Sequence, residues 1–160
     1  MHRRLRRREV WGRVEDGAMR LNHFGRLVEE CWRDLPNHHV GVELDAFMVM
    51  PNHVHAILFL TQAGFEAPYQ AAFGPVPANS LSSVMGAFKA AVTRAVNRKR
   101  GAQTTVWQER FYERIIRAEE ELDVIRRYVR KNPANWPQDR CHPQHPKFDL
   151  PWDGIAPDDV

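Results

Sequence analysis

Cysteine is scarce: the 160 residues hold two, Cys31 and Cys141. Two thiols make no disulfide framework, and the default reading is a cytoplasmic protein. Long apolar runs are also missing. Runs such as Ala56–Leu60 are far shorter than the ~20 residues of a membrane span. The basic start Met1-His2-Arg3-Arg4-Leu5-Arg6-Arg7-Arg8 leads into no apolar signal core. No membrane partner is therefore expected. A G-x-x-x-x-G-K-[ST] phosphate loop is absent, so no nucleotide cofactor is expected. The G-x-S-x-G signature of serine hydrolases is absent as well. Tyrosine is limited to Tyr69, Tyr112 and Tyr128.

The chain has the length of one domain, with 43% hydrophobic and 27% charged residues. Its formal charge of +3 and pI near 9.1 identify no partner by themselves. The distribution is more telling. Arginine supplies 19 of the 23 basic residues. Residues 1–138 carry 21 basic and 15 acidic side chains, a net of +6, whereas 139–160 carry 2 basic and 5 acidic, a net of −3. Arginine's planar fork suits bidentate phosphate contact, although a GC-rich genome produces the same excess.

Hydrophobic periodicity divides the chain into elements. Glu9–Arg20 reads as a short hairpin with Asp16-Gly17 at its turn. Asn22 caps a helix running to about Leu35, ended by Pro36-Asn37. Val42–Met50 and His53–Leu60 read as antiparallel strands around Pro51-Asn52. The apolar faces of the second suggest a strand interior to a covered sheet. A Gly-, Ala- and Pro-rich loop spans 61–79. Asn79 or Ser80 then caps a helix to about Arg100, with Leu81, Val84, Met85, Phe88, Val92, Ala95 and Val96 as its buried stripe. Thr105–Ile116 reads as extended. Glu119–Asn132 is a helix with acids in its first turn and cations in its last, ended by Pro133. Beyond it a proline-rich acidic tail is expected to be extended or loosely ordered. The order points to an α+β fold with helices packed on one sheet.

Two features carry chemistry. His53-Val54-His55 places two imidazoles on one face of a strand, a two-point chelate for a divalent metal. A pair of histidines bonded to backbone at a strand end fits the same pattern. Two ligands fall short of a closed zinc site, so an open site completed by oxygen ligands fits better. Cys141-His142 and His145 lack a second cysteine nearby, and His38-His39 reads as a loop. Tyr128 lies on the last helix, one turn before Asn132 and among Arg126, Arg127, Arg130 and Lys131. Cations around a tyrosine favour phenolate and neutralise phosphate, which suits a nucleophile. A tyrosine packing at the core edge is the alternative.

Three segments together resemble a known family. Met50-Pro51-Asn52-His53-Val54-His55 resembles the histidine–hydrophobic–histidine (HUH) motif of single-tyrosine transposases. Trp107–Arg117 is similar to their segment before the last helix, and Ile125–Pro133 resembles their nucleophile helix. The nearest branch is the REP-associated tyrosine transposases, and the likeness runs from about Val10 to Trp136. It implies a ferredoxin-like antiparallel sheet within a transposase domain over 9–138, flanked by a basic N-terminus (1–8) and a Pro-rich acidic tail (139–160). It implies that His53, His55 and Asn132 bind Mg²⁺ or Mn²⁺ and that Tyr128 attacks single-stranded DNA beside a hairpin. A 5′-phosphotyrosine intermediate would follow. Lys89, Arg94, Arg98, Arg126, Arg127, Arg130 and Lys131 are the expected DNA contacts. One tyrosine per chain implies a homodimer, since two ends must be cut. Family members carry an apolar strand where this chain has Met1–Arg8, so the resemblance implies either that the true start lies upstream or that the chain is a truncated copy lacking its first strand. A related HUH nickase, matching Tyr128-Val129-Arg130-Lys131, and a non-catalytic DNA-hairpin-binding protein are the alternatives.

Overall fold

The computed structural model describes residues 10–61, 80–107 and 112–144. The expectations for Met1–Arg8, the loop to Asn79, Gln108–Phe111 and the tail beyond Gln144 lie outside them. The chain forms two compact units. Among described residues, one comprises 10–26, 46–56 and 112–144, and the other comprises 27–45, 57–61 and 80–107.

The first unit opens with a hairpin of β1 (Gly12–Glu15) and β2 (Ala18–Leu21), paired antiparallel from Gly12↔Leu21 to Glu15↔Ala18. Asp16 and Gly17 turn it with φ of 51° and 71°, the paired positive values that match a strand's twist. The Pro51 carbonyl accepts the N–H groups of Val10 (2.7 Å) and Trp11 (3.1 Å). Asn22 adds a second tie: its Nδ2 donates to the Val10 carbonyl (2.8 Å), while its Oδ1 accepts from Gly25 N (2.9 Å). The latter bond caps α1 (His23–Arg33) as expected. Trp11 is fully buried here, as are Met50 and Pro51.

β3 (Val42–Val49) and β4 (Val54–Leu60) form a second hairpin. Met50 N donates to His53 O (2.8 Å) across the Pro51-Asn52 turn, and Thr61 N donates to Gly41 O (2.7 Å) at the open end. The α+β class is thus realised, with two separate two-stranded ladders among the described residues. Among the described residues β4 pairs with β3 alone, and Ala56 and Phe59 on it are exposed, unlike the covered interior strand expected. Residues 112–118 join no ladder. Their polar groups turn to the following helix, where Glu121 pairs with Arg114 and accepts Arg117 N (3.2 Å).

In the second unit α1 ends at Arg33, and a one-turn helix, α2 (Leu35–His38), follows. Pro36 sits in its first turn, where a missing N–H costs nothing, so it begins a turn instead of ending one. His38 bonds back to Asp34 at 2.8 Å. α3 (Leu81–Arg100) is capped by Ser80, which accepts Ser83 N at 3.2 Å, and it ends at left-handed Gly101. Val84, Met85, Phe88, Val92 and Val96 are buried; Leu81 and Ala95 are only half so. Phe88 meets Trp32 edge-on at 5.7 Å and Trp107 at 5.6 Å. Trp107 also donates Nε1–H to the Lys89 carbonyl (3.0 Å), and Asn97 bonds both backbone groups of Thr104. The Asn97 bonds occupy the backbone groups of Thr104, just ahead of the segment read as extended.

Back in the first unit, α4 (Glu119–Lys131) has the expected charge order and buries Leu122 and Val129. Pro133 does not release the chain. It lies in the first turn of a 3₁₀ segment, Asn132–Gln138, that packs against α4, β1 and β2 and buries Trp136. The expectation of loose structure from Pro133 onward therefore fails for residues 133–144, because the indole anchors them.

Two glycine substitutions test this packing. A Cβ on Gly25 would collide with the Trp11 carbonyl oxygen, whereas one on Gly86, mid-α3, meets nothing within 4 Å. In urea unfolding, Gly25→Ala should lose about 1–3 kcal/mol, and Gly86→Ala should gain roughly 0.5–1 kcal/mol.

Candidate functional site

The Pro51-Asn52 turn launches His53 and His55 along β4. Their Nε2 atoms face each other at 3.0 Å and their rings cross at 90°. Asp139, just past the 3₁₀ segment, brings Oδ2 to 3.9 Å from His53 Nε2, with both side chains largely buried. Ligand atoms of His53, His55 and Asp139 lie within 4.8 Å of one another. Tyr128 packs its ring edge-on to His55 at 5.4 Å. Trp136 lies 6.0 Å from the His53 ring and 5.0 Å from that of His142.

The protons can be assigned. Asn52 Nδ2 donates to the Cys141 carbonyl (2.8 Å), which turns Oδ1 toward His53 Nδ1, also at 2.8 Å. An amide oxygen only accepts, so His53 carries its proton on Nδ1 and its Nε2 is bare. His55 then donates Nε2–H to His53 Nε2. Burial drives both imidazoles far below their ordinary value, His53 to about 4 and His55 to about 3. His53 adds to the downward push on His55, and Asp139 opposes it. Both are neutral at pH 7, the form that ligates metals.

Tyr128 behaves differently from expectation. Its phenol is raised, first by burial and then by the Asp139 carboxylate; a bond from Asn132 and the charge of Arg140 only partly offset this. The charged groups that act on the phenol are Asp139 and Arg140. Arg126 Nη1 donates to Asp123 Oδ1 (3.1 Å), Arg127 Nε donates to Asp123 O (3.3 Å), and Arg130 and Lys131 are exposed. Tyr128 is nonetheless 39% exposed, so a substrate can reach it. Asn132 is 2% exposed and its Oδ1 has no partner among the described residues, a buried acceptor free for a cation or water. Two neutral imidazoles and a carboxylate fit a divalent ion of intermediate softness.

The site therefore joins His53, His55, Tyr128 and Asn132, all in the first unit. Arg126, Arg127, Arg130 and Lys131 lie on α4 of the same unit. Lys89, Arg94 and Arg98 belong to the other, on α3, where Lys89 is half-buried and its ammonium is lowered by desolvation. Sequence reasoning missed two residues. Asp139 stood as the first residue of the acidic tail, beyond the domain boundary at 138, and no spacing rule connects it to the histidines. Asn52 was visible inside Pro51-Asn52-His53 but had no role assigned. Cys141 is held beside Asp139, and its thiol is raised by burial and by that carboxylate.

An α+β chain with a His–His–carboxylate cluster beside a tyrosine is the class these residues define. An uncharacterized protein of Haemophilus influenzae (strain ATCC 51907 / DSM 11121 / KW20 / Rd) is 33% identical over 140 residues, covering 83% of this chain and 77% of its own. The chain belongs to the family of that protein. No family model matches the sequence, and no solved structure matches the fold. Among the described residues, no helix is long and apolar enough to cross a membrane.

The imidazoles make stability pH-dependent. Unfolded, they titrate near 6.5; folded, at about 4 and about 3. Between those values the unfolded chain binds more protons, so stability is full above about pH 7 and falls as pH drops from about 6.5 toward 4. The urea midpoint of metal-free protein should decline across that window, and His55→Gln should flatten the slope. A wild-type midpoint constant down to pH 4.5 would contradict burial of the pair.

Proposed function

We propose that this chain is a metal-dependent, single-tyrosine transposase of the HUH kind, cleaving and rejoining single-stranded DNA beside a hairpin. The observation that carries the reading is the cluster itself: two neutral imidazoles and Asp139, with the Tyr128 ring against His55 and its hydroxyl bonded by Asn132. In this reading His53, His55, Asp139 and Asn132 Oδ1 hold Mn²⁺ or Mg²⁺. The bound ion would supply Lewis-acid polarisation of the scissile phosphate. Nitrogen donors favour Mn²⁺ over the harder Mg²⁺.

The residues perform the rest. Tyr128 Oη attacks phosphorus, forming an Oη–P bond as the P–O3′ bond breaks. The phenolic proton leaves and the departing 3′-oxygen gains one, so protons balance. Tyr128 rests as a neutral phenol, and a cation held beside Asp139 would offset that carboxylate's charge and ease loss of the phenolic proton. The phosphotyrosine conserves the energy of the phosphodiester, so a 3′-hydroxyl can reverse the step and reseal DNA without a nucleotide cofactor. Exposed Arg94, Arg98, Arg127, Arg130 and Lys131 supply phosphate contacts, with Lys89 and Arg126 as weaker ones. Cutting two ends calls for a homodimer.

The raised Tyr128 phenol favours a second reading, a DNA-hairpin-binding protein without turnover. One experiment separates the two. Protein with Mn²⁺ and a hairpin oligonucleotide labelled at its 3′ end should give a denaturant-stable adduct. Tyr128→Phe should abolish the adduct while binding persists, and EDTA should abolish it too. An adduct that survives in Tyr128→Phe but is lost in Tyr112→Phe would move the nucleophile. Tight binding with no adduct in wild type would select the second reading.

A further inference from the structure

We infer that Asn52 is a positioning residue that sets the His53 tautomer and couples it to the turn bearing Asp139. Its amide spans two segments 89 residues apart. The oxygen accepts His53 Nδ1–H and the nitrogen donates to the Cys141 carbonyl, each at 2.8 Å. The second bond fixes the first, because only the nitrogen can face a carbonyl. The turn it grips is itself bonded to Asp139: Cys141 N donates to Oδ1 (2.6 Å), and His142 N donates to the Asp139 carbonyl (2.9 Å).

Asn52 is equally well held from behind. Pro51, its neighbour, is fully buried and accepts two backbone N–H groups, and Met50 N closes the hairpin onto His53 O. The amide therefore starts from a fixed point. It leaves His53 Nε2 bare toward His55 and Asp139, and it keeps the carboxylate's turn beside that nitrogen. A side chain that orients ligands without touching the metal typically changes metal affinity 10–100-fold when removed.

The metal part of this inference rests on the proposed function; the tautomer part does not. Nitrogen-15 NMR of the imidazoles in metal-free protein should show His53 protonated on Nδ1 in wild type. Asn52→Ala should lose that preference, and Asn52→Asp, which keeps an accepting oxygen, should restore it. Calorimetric titration with Mn²⁺ alone should give an affinity roughly 10–100-fold weaker in Asn52→Ala. A wild-type His53 protonated on Nε2 overturns the inference directly, even if Asn52→Ala does not fold. So does a folded Asn52→Ala that keeps the Nδ1–H tautomer and full Mn²⁺ affinity. A wild-type chain with the stated tautomer and no Mn²⁺ binding would instead sink the metal reading and leave the positioning role intact.

Discussion

The Pro51 carbonyl ties two hairpins of the chain together. It accepts the N–H groups of Val10 and Trp11, fixing the start of the first hairpin to the turn of the second. Proline suits the place: it has no N–H to satisfy, and its fixed φ stiffens a two-residue turn. From that point Asn52 reaches outward and His53 and His55 follow along the strand. An anchored turn determines where two imidazoles begin, which a flexible loop would not do.

Electrostatics explains the character of the cluster. Burial neutralises both imidazoles, so neither supplies a positive charge to Asp139. The carboxylate accepts a backbone N–H from Cys141 and adds to burial in raising the Cys141 thiol and the Tyr128 phenol. A cation would relieve all of these at once. Burial first, and this carboxylate second, keep the tyrosine a neutral phenol.

Local signals were legible in the sequence where local chemistry decides. Asp16-Gly17, the Asn22 and Ser80 caps, the stripe of α3 and the Pro51-Asn52 turn all follow from residue type and short spacing. The histidine pair and Tyr128 were legible for the same reason, as i,i+2 and i,i+4 relations on single elements. What escaped depended on contacts between distant segments. Asp139 reaches the histidines only because the Trp136 indole buries the chain that precedes it. Proline content pointed to a loose tail, but Pro133 and Pro137 are both compatible with 3₁₀ geometry. Of the segment Thr105–Ile116, read as extended, the described residues 105–107 and 112–116 enter no strand.

The 3₁₀ segment also constrains how this chain can vary over time. It runs without interruption from Asn132 to Gln138, with Asn132 at one end and Asp139 just past the other. A 3₁₀ helix advances about 2 Å and turns roughly 120° per residue. Loops usually absorb insertions and deletions, but one residue gained or lost here would swing the carboxylate away from the imidazoles. This stretch, which looks like the start of a dispensable tail, should therefore keep its length among relatives that retain the cluster, whatever substitutions it accepts at exposed positions.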